Sequence, residues 1–182
     1  FGGCEARPAT VIDVCEEIAF ADGSVGWAYA QNITVGAYAA YLEPSIGERF
    51  AAARAAAGMF APMGIAVPVE GGYRVQGSFK FGSGSGHAEW IGGAGTVMKD
   101  GAPAAMPGGA PPILAWVVPI ENVEMKGNWD VMGLRGTGSY DFDVPEQFVE
   151  AGACFPLFAA EVVTGGPIYK MGALTFGFIG SC

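Results

Sequence analysis

Residues 71–82 read Gly-Gly-Tyr-Arg-Val-Gln-Gly-Ser-Phe-Lys-Phe-Gly. After the Gly71-Gly72 pair, apolar or glycine residues alternate with polar ones from Tyr73 to Phe81. A period of two places alternate side chains on opposite faces of a strand, so this segment predicts a half-buried antiparallel strand that follows a tight turn. Further strands are predicted at 59–67, 90–98, 113–119, 122–128 and 139–144, and a hairpin turn is predicted at 99–101.

The first 57 residues show the three- and four-residue spacing of helices instead. Apolar residues recur at this spacing from Val11 to Ile18, behind a proline that suits a first helical turn. Ser24 is the predicted N-cap of a second helix. Ser45 and Glu48 fit a capping box for a third helix, which is predicted to run to residue 57.

These patterns predict an α+β fold with three parts. Residues 1–57 are helical, and residues 58–150 form an antiparallel β-barrel or sandwich. Residues 151–182 contain a linker, with a helix predicted after Pro167. The chain starts at Phe1 and stops at Cys182 inside an apolar run, so we expect it to be part of a longer protein.

Composition excludes several classes of function. Eighteen acidic residues against nine Lys and Arg give a net charge of −9, which disfavours binding to nucleic acid. The four cysteines show no Cys-x-x-Cys spacing and the only histidine is His87, so no metal site is predicted. Reduced thiols in a cytoplasmic protein are expected, because a chain of this size needs no disulfide to fold.

Two segments without charged residues have the length of a membrane-spanning helix, 23–42 and 101–120. The first contains several polar side chains, and the second contains prolines that no helix tolerates in that number. Neither segment is therefore predicted to cross a membrane.

Three stretches carry a resemblance to a known family. They are Phe1-Gly-Gly together with Ala-Asp-Gly-Ser-Val-Gly-Trp at 21–27, the stretch 71–90 that ends in Gly-Ser-Gly-Ser-Gly-His-Ala-Glu-Trp, and Trp-Asp-Val-Met-Gly-Leu-Arg-Gly-Thr-Gly-Ser-Tyr-Asp-Phe-Asp-Val at 129–144. Together they resemble the acyl-CoA dehydrogenase superfamily, and most closely its branch of flavin-dependent, two-component monooxygenases. The resemblance implies an FAD or FMN cofactor, possibly used in its reduced, diffusible form. It also implies that residues 1–57 are the end of an N-terminal helical domain, residues 58–150 the middle β-domain, and residues 151–182 a linker and the start of a C-terminal helical domain.

The resemblance also implies site residues. Phe81 would pack against the flavin ring, and Gly82, the next residue of the same strand end, would also belong to the cofactor site. Ser83 would reach the N5 side of the flavin and help to hold the oxygenated flavin. Phe60 and Ala61 would offer backbone groups to the flavin, although the Thr-Glu-Pro that is usual in dehydrogenases is here Phe60-Ala61-Pro62. For Ser83, the alternative is a serine in a glycine-rich turn.

Other residues have weaker assignments. Trp27, Tyr29 and Asn32 would border the substrate cavity, with core packing as the alternative. His87 is expected to anchor a loop, and Arg135 lies in a glycine-rich loop that either joins two strands or cradles an anion. The catalytic base is expected beyond Cys182 and is unknown.

The leading hypothesis is the oxygenase component of a two-component monooxygenase, which hydroxylates an aromatic or polycyclic substrate and receives reduced flavin from a separate reductase. An acyl-CoA dehydrogenase that transfers hydride to FAD is one alternative. A non-catalytic module that binds flavin or another ligand is the second. The resemblance further implies a homotetramer for the full-length protein.

Overall fold

The computed structural model describes residues 4–105 and 109–179. The helices are α1 (Pro8–Ala21), α2 (Gly23–Gly36), α3 (Pro44–Ala51) and α4 (Ala173–Ile179). The strands are β1 (Ala56–Val69), β2 (Gly72–Gly82), β3 (Trp90–Lys99), β4 (Ala102–Pro103), β5 (Ile113–Pro119), β6 (Glu124–Met125), β7 (Tyr140–Glu150) and β8 (Cys154–Pro156). No helix within these ranges is long and apolar enough to cross a membrane.

The predicted helices are present, but two of their caps and one boundary differ from the prediction. The Asp22 side chain, and not that of Ser24, caps α2 by accepting hydrogen bonds from the backbone N–H groups of Ser24 and Val25. Glu43 caps α3 through the backbone N–H of Ser45, so the predicted capping box is wrong. In both cases the acidic residue directly before the helix holds the N-cap position, and the predicted cap lies within the first turn of the helix.

Helix α3 also ends earlier than predicted. It stops at Ala51, and the alanines that follow enter β1, where Ala56 and Ala57 pair with Trp90 and Ile91 of β3. Both alanines are buried. Strand pairing and burial therefore override the high helix propensity of alanine.

The eight strands form one mixed sheet in the order β6-β7-β2-β1-β3-β5-β8, with β4 added to β3. All of its pairs are antiparallel except β1–β3, which is parallel, so the prediction of a purely antiparallel domain is wrong. The reason is topological. Strand β2 returns along one edge of β1 and β3 runs along the other edge, so β3 has the same direction as β1.

The sheet is open, because its path starts at β6 and ends at β8 and these two strands do not pair with each other. The predicted barrel is therefore not formed by the described residues. The hairpin predicted at 99–101 is confirmed: Asp100 and Gly101 have φ of 52° and 80°, and Lys99 pairs with Ala102.

Some predicted strands have other lengths. The strand predicted at 122–128 is reduced to β6, because a 3₁₀ turn occupies Ile120–Asn122. Strand β7 continues to Glu150, beyond the predicted end, since its register against β2 shifts around Pro145 and accommodates a residue that cannot donate a hydrogen bond. The single helix predicted after Pro167 is a 3₁₀ helix and α4, separated by Gly172 with a φ of 90°.

One hydrophobic core joins the helices to the sheet. Phe79 of β2 stacks on Phe142 of β7 with 5.0 Å between ring centroids, and Trp116 of β5 packs on Phe79 at 6.0 Å. Strands β1 and β3 approach closely at their glycines. A Cβ atom on Gly95 would lie 2.4 Å from the carbonyl carbon of Gly64, so this parallel pair depends on the absence of side chains there.

Candidate functional site

Ser83 lies where the three motif stretches meet. It directly follows β2 and is only 5% exposed. Trp27 of α2 donates its indole N–H to the Ser83 hydroxyl over 3.0 Å, and the Ser139 hydroxyl, just before β7, lies 2.7 Å from the same oxygen. Residues of the first, second and third stretch are thus in direct hydrogen-bond contact.

The backbone at Phe81 turns its side chain out of the sheet pattern. In a regular strand Phe79 and Phe81 would share one face, yet Phe79 is 1% exposed and Phe81 is 54% exposed. Phe81 has a φ of 63°, and the β2–β7 register shifts between Phe79 and Gly82. A bulky residue in this left-handed region costs energy and is typical of functional sites. The prediction of alternation therefore holds up to Phe79 and is wrong at Phe81.

The exposed Phe81 ring is supported by the third stretch. The Trp129 ring meets it edge-on, with 6.1 Å between the centroids. Trp129 in turn donates its indole N–H to the Leu134 carbonyl over 3.1 Å. The result is an exposed aromatic surface next to the buried Ser83 hydroxyl.

A row of buried hydroxyl groups leads away from Ser83. The Ser139 hydroxyl lies 2.7 Å from that of Thr137, and Thr137 donates its hydroxyl proton to the Leu134 carbonyl over 2.9 Å. The Gly84 backbone N–H donates to the Thr137 carbonyl over 2.8 Å, which fixes the two loops to each other. We call Ser83, Ser139 and Thr137 the hydroxyl chain.

Neither Thr137 nor Ser139 is among the site residues that the sequence predicts. The signal that could have indicated them is Gly-Thr-Gly-Ser at 136–139, where small polar residues alternate with glycines directly before a strand. Arg135 of the same loop forms an ion pair with Asp130 over 2.9 Å on the surface. Since this carboxylate already faces the guanidinium group, the geometry favours the structural interpretation of the loop over an anion cradle.

The structure separates Trp27 from the other two predicted pocket residues. Tyr29 and Asn32 line a cavity of about 480 Å³, whereas Trp27 lines a groove of about 530 Å³ together with Leu134. Residues two positions apart point in different directions from an α-helix, which explains the separation.

Asn32 nevertheless lies next to the Ser83 loop. A Cβ atom on Gly84, which has a φ of 76°, would be 2.5 Å from the Asn32 side-chain nitrogen. That nitrogen is buried and has no hydrogen-bond partner in the structure. An unpaired buried donor is costly unless a ligand or water satisfies it, so Asn32 is a candidate ligand-binding group.

Phe60 and Ala61 lie on β1. The Phe60 ring packs edge-on against Tyr38, with 4.6 Å between centroids, and contributes to the core. The β1–β3 register shifts between Met59 and Pro62, so neither Phe60 nor Ala61 has a partner residue on β3. This irregularity is consistent with backbone groups that are offered to a ligand. In the described part of the chain no hydrogen bond or ring contact links Phe60 to Ser83.

The cavity at Tyr29 and Asn32 has a charged rim. Arg54 lines it and forms a 2.6 Å ion pair with Glu89, and this hydrogen bond lowers the pKa of the Glu89 carboxyl. His87 is exposed and donates its backbone N–H to the Gly84 carbonyl. No group of three or more His, Cys, Asp or Glu side chains within residues 4–105 and 109–179 could hold a metal ion.

No model of a known protein family matches the chain. The chain is 31% identical to the flavin-dependent monooxygenase oxygenase subunit HsaA of Mycobacterium tuberculosis (strain ATCC 25618 / H37Rv), over 94% of this chain and 44% of that protein. It is 33% identical to indole-3-acetate monooxygenase of Pseudomonas putida, over 82% of this chain and 37% of that protein. The chain thus spans less than half the length of these relatives.

Solved structures agree with these sequence relatives. A crystal structure of the M. tuberculosis HsaA monooxygenase matches 96% of this chain and 45% of its own, with a TM-score of 0.78 and 29% identity. XiaF from Streptomyces sp., solved in complex with FADH2 and glycerol, matches 85% of this chain and 38% of its own, with a TM-score of 0.74 and 26% identity.

Proposed function

The chain is homologous to the oxygenase subunits of flavin-dependent monooxygenases, and from this we propose that it belongs to the oxygenase component of a two-component monooxygenase. Its substrate would be an aromatic or polycyclic compound. Both HsaA and indole-3-acetate monooxygenase, to which the chain is more than 30% identical, are monooxygenases by name.

The pairing of the exposed Phe81 ring with the buried Ser83 hydroxyl is the observation that carries this proposal. A flavin ring is flat and largely apolar, with polar atoms at its edge, so it needs an aromatic surface next to a hydrogen-bonding group. Phe81 offers the surface at the end of β2, and Ser83 offers the hydrogen-bonding group two residues later. These residues therefore fit a flavin.

Further contacts to the flavin come from the backbone in this proposal. Phe60 and Ala61 would offer main-chain groups from the irregular part of β1. Gly82 keeps Phe81 and Ser83 close to β7, because a Cβ atom there would lie 3.1 Å from the Tyr140 carbonyl oxygen. When bound, reduced flavin supplies the electrons that allow one atom of O2 to enter the substrate and the other to leave as water.

Tyr29 and Asn32 are our candidates for substrate contact. Their cavity of about 480 Å³ has the size of a typical small-molecule pocket. Trp27, predicted to border the same cavity, is better placed to hold Ser83 in position, because its indole N–H is bonded to that hydroxyl. The catalytic base would lie beyond Cys182.

The remaining features of the proposal concern the whole protein. We propose an acyl-CoA dehydrogenase-like fold with domain boundaries after residues 57 and 150, a separate flavin reductase as partner, a homotetrameric assembly and a cytoplasmic location. The homology to the oxygenase subunit of a flavin-dependent monooxygenase, and the FADH2 bound in the structure of XiaF, support the reductase and the fold.

Anaerobic flavin titration of the intact protein tests the proposal. We expect a protein that is purified colourless, binds reduced FAD or FMN, and hydroxylates an aromatic substrate when a flavin reductase and NADH are added. A permanently bound yellow FAD that is bleached by an acyl-CoA would instead identify a dehydrogenase. Failure to bind flavin in either redox state would identify a non-catalytic module.

A further inference from the structure

The proton positions in the hydroxyl chain follow from counting. A hydroxyl group has one proton to donate and two lone pairs to accept with, whereas a backbone carbonyl can only accept. The Leu134 carbonyl faces three donors: the Trp129 indole N–H at 3.1 Å, the Thr137 backbone N–H at 3.2 Å and the Thr137 hydroxyl at 2.9 Å. The hydroxyl contact is the shortest of the three, so we assign the single Thr137 hydroxyl proton to it.

Either hydroxyl could be the donor in the Ser83–Ser139 and Ser139–Thr137 contacts, and the assignment of the Thr137 proton decides both directions. Ser139 must donate to Thr137 across their 2.7 Å contact, because the Thr137 proton is already committed. Ser83 must in turn donate to Ser139 across their 2.7 Å contact. Trp27 can only donate, and it occupies one lone pair of Ser83. One lone pair on Ser83 is left, and no proton.

We infer that Thr137 and Ser139 are positioning residues that make Ser83 an acceptor-only group, and that this acceptor selects the reduced form of the flavin. The inference rests on the proposed function. Reduced flavin carries a proton on N5 and can donate it to Ser83. Oxidised flavin has a lone pair on N5, which would face the lone pair of Ser83.

Burial makes this discrimination effective. Ser83, Ser139 and Thr137 are all buried, so water cannot readily supply the missing proton to an oxidised flavin. A neutral hydrogen bond contributes roughly 0.5–1.5 kcal/mol net, which corresponds to about a two- to tenfold difference in affinity.

The test measures the dissociation constants of reduced and oxidised flavin for the intact protein and its variants by anaerobic titration. Ser139→Ala removes the acceptor of the Ser83 proton, so this proton becomes available to oxidised flavin. We expect the affinity for oxidised flavin to rise relative to that for reduced flavin by about two- to tenfold. In a reduction titration, the bound oxidised flavin should accordingly be harder to reduce than in the wild type.

Two further variants change Thr137, the residue of the hydroxyl chain that is furthest from Ser83. Thr137→Val removes the acceptor of the Ser139 proton, so the Ser139–Ser83 bond can reverse and the ratio should shift in the same direction. Thr137→Ser keeps the hydroxyl and should keep the wild-type ratio. If Thr137 had a role in packing alone, neither variant would change the ratio of the affinities for reduced and oxidised flavin.

Ser85→Ala is the matched control. Ser85 is a buried serine of the same loop, and its hydroxyl faces the Gly138 carbonyl at 3.4 Å without joining the chain. In this variant the ratio of the affinities for reduced and oxidised flavin should equal that of the wild type. Unchanged ratios in both Ser139→Ala and Thr137→Val, with flavin still bound, would overturn the inference alone. Absence of flavin binding by the wild type would overturn the proposed function and the inference with it.

Discussion

At the scale of single residues, Phe81 and Ser83 have different effects on flavin. Replacing Ser83 by Ala removes one hydrogen bond, so we expect the affinity for reduced flavin to fall by about two- to tenfold. The fraction of turnovers that yields hydrogen peroxide instead of product should rise, because oxygen chemistry depends on a dry and correctly paired site. Stopped-flow absorbance and product analysis measure both quantities.

Phe81→Ala should show the opposite pattern. It removes the aromatic surface and leaves the hydroxyl chain intact, so affinity should fall further than in Ser83→Ala. Peroxide leakage per turnover should change less. If Ser83→Ala left both affinity and product yield unchanged, Ser83 would be a residue of the turn only.

Cysteine reactivity gives a prediction that is independent of flavin. Burial, reinforced by the nearby Glu150 carboxylate, raises the pKa of the Cys154 thiol to about 12. Because the pKa is raised, Cys154 stays protonated at pH 8, and the thiol form reacts poorly with electrophiles. We expect iodoacetamide to alkylate the exposed Cys4 well before Cys154, as followed by mass spectrometry. In urea the difference should disappear, and equal rates in the folded protein would contradict this environment for Cys154.

At the scale of elements, the parallel pair β1–β3 is the most constrained contact of the sheet. Gly95→Val places a side chain against the Gly64 backbone, so we expect the free energy of unfolding to fall by about 2–3 kcal/mol. Gly36→Ala is the matched control, because a Cβ atom there meets nothing within 4 Å and α2 gains a better helix former. Urea unfolding should show destabilisation in the first variant and none in the second.

The sequence predicts most elements correctly where a local pattern determines them. The strand from Tyr73 and the hairpin at Asp100-Gly101 follow from alternation and turn chemistry, and both are confirmed. The parallel pairing of β1 with β3 could not be predicted, since it depends on which edge of β1 a later strand occupies. The early end of α3 has the same cause, because Ala56 and Ala57 gain more from pairing with β3 than from continuing the helix.

The candidate site shows the same division. Ser83 and Phe81 lie in a motif that the sequence reveals, but the left-handed backbone at Phe81 breaks the alternation that predicted its strand. Ser139 contacts Ser83, and Thr137 contacts Ser139, only through folding, because their stretch is more than fifty residues further along the sequence than Ser83. Spacing within one segment carries no information on such a contact.

At the scale of the whole molecule, several apolar side chains lie at the surface. Helix α1 has no buried residue, and Phe20 at its C-terminal end is 91% exposed. Large exposed apolar groups are typical of surfaces that contact other parts of a protein or another subunit. The homotetramer that we propose from the family resemblance would offer a partner for such a surface, and light scattering of the intact protein should then give the mass of four chains. A single monomeric species over a range of concentrations would contradict this assembly.

The meeting of three sequence stretches at one oxygen atom also limits how this protein can evolve. Trp27 and Ser139 share the Ser83 hydroxyl, so the effect of a mutation at any of these positions depends on the other two. If Ser139 is lost while Ser83 is present, the Ser83 hydroxyl becomes free to donate a hydrogen bond to a bound flavin. If Ser139 is lost after Ser83 has become alanine, no such donor appears. The positions are epistatic, and a lineage that exchanged this arrangement for another would have to change them in a restricted order.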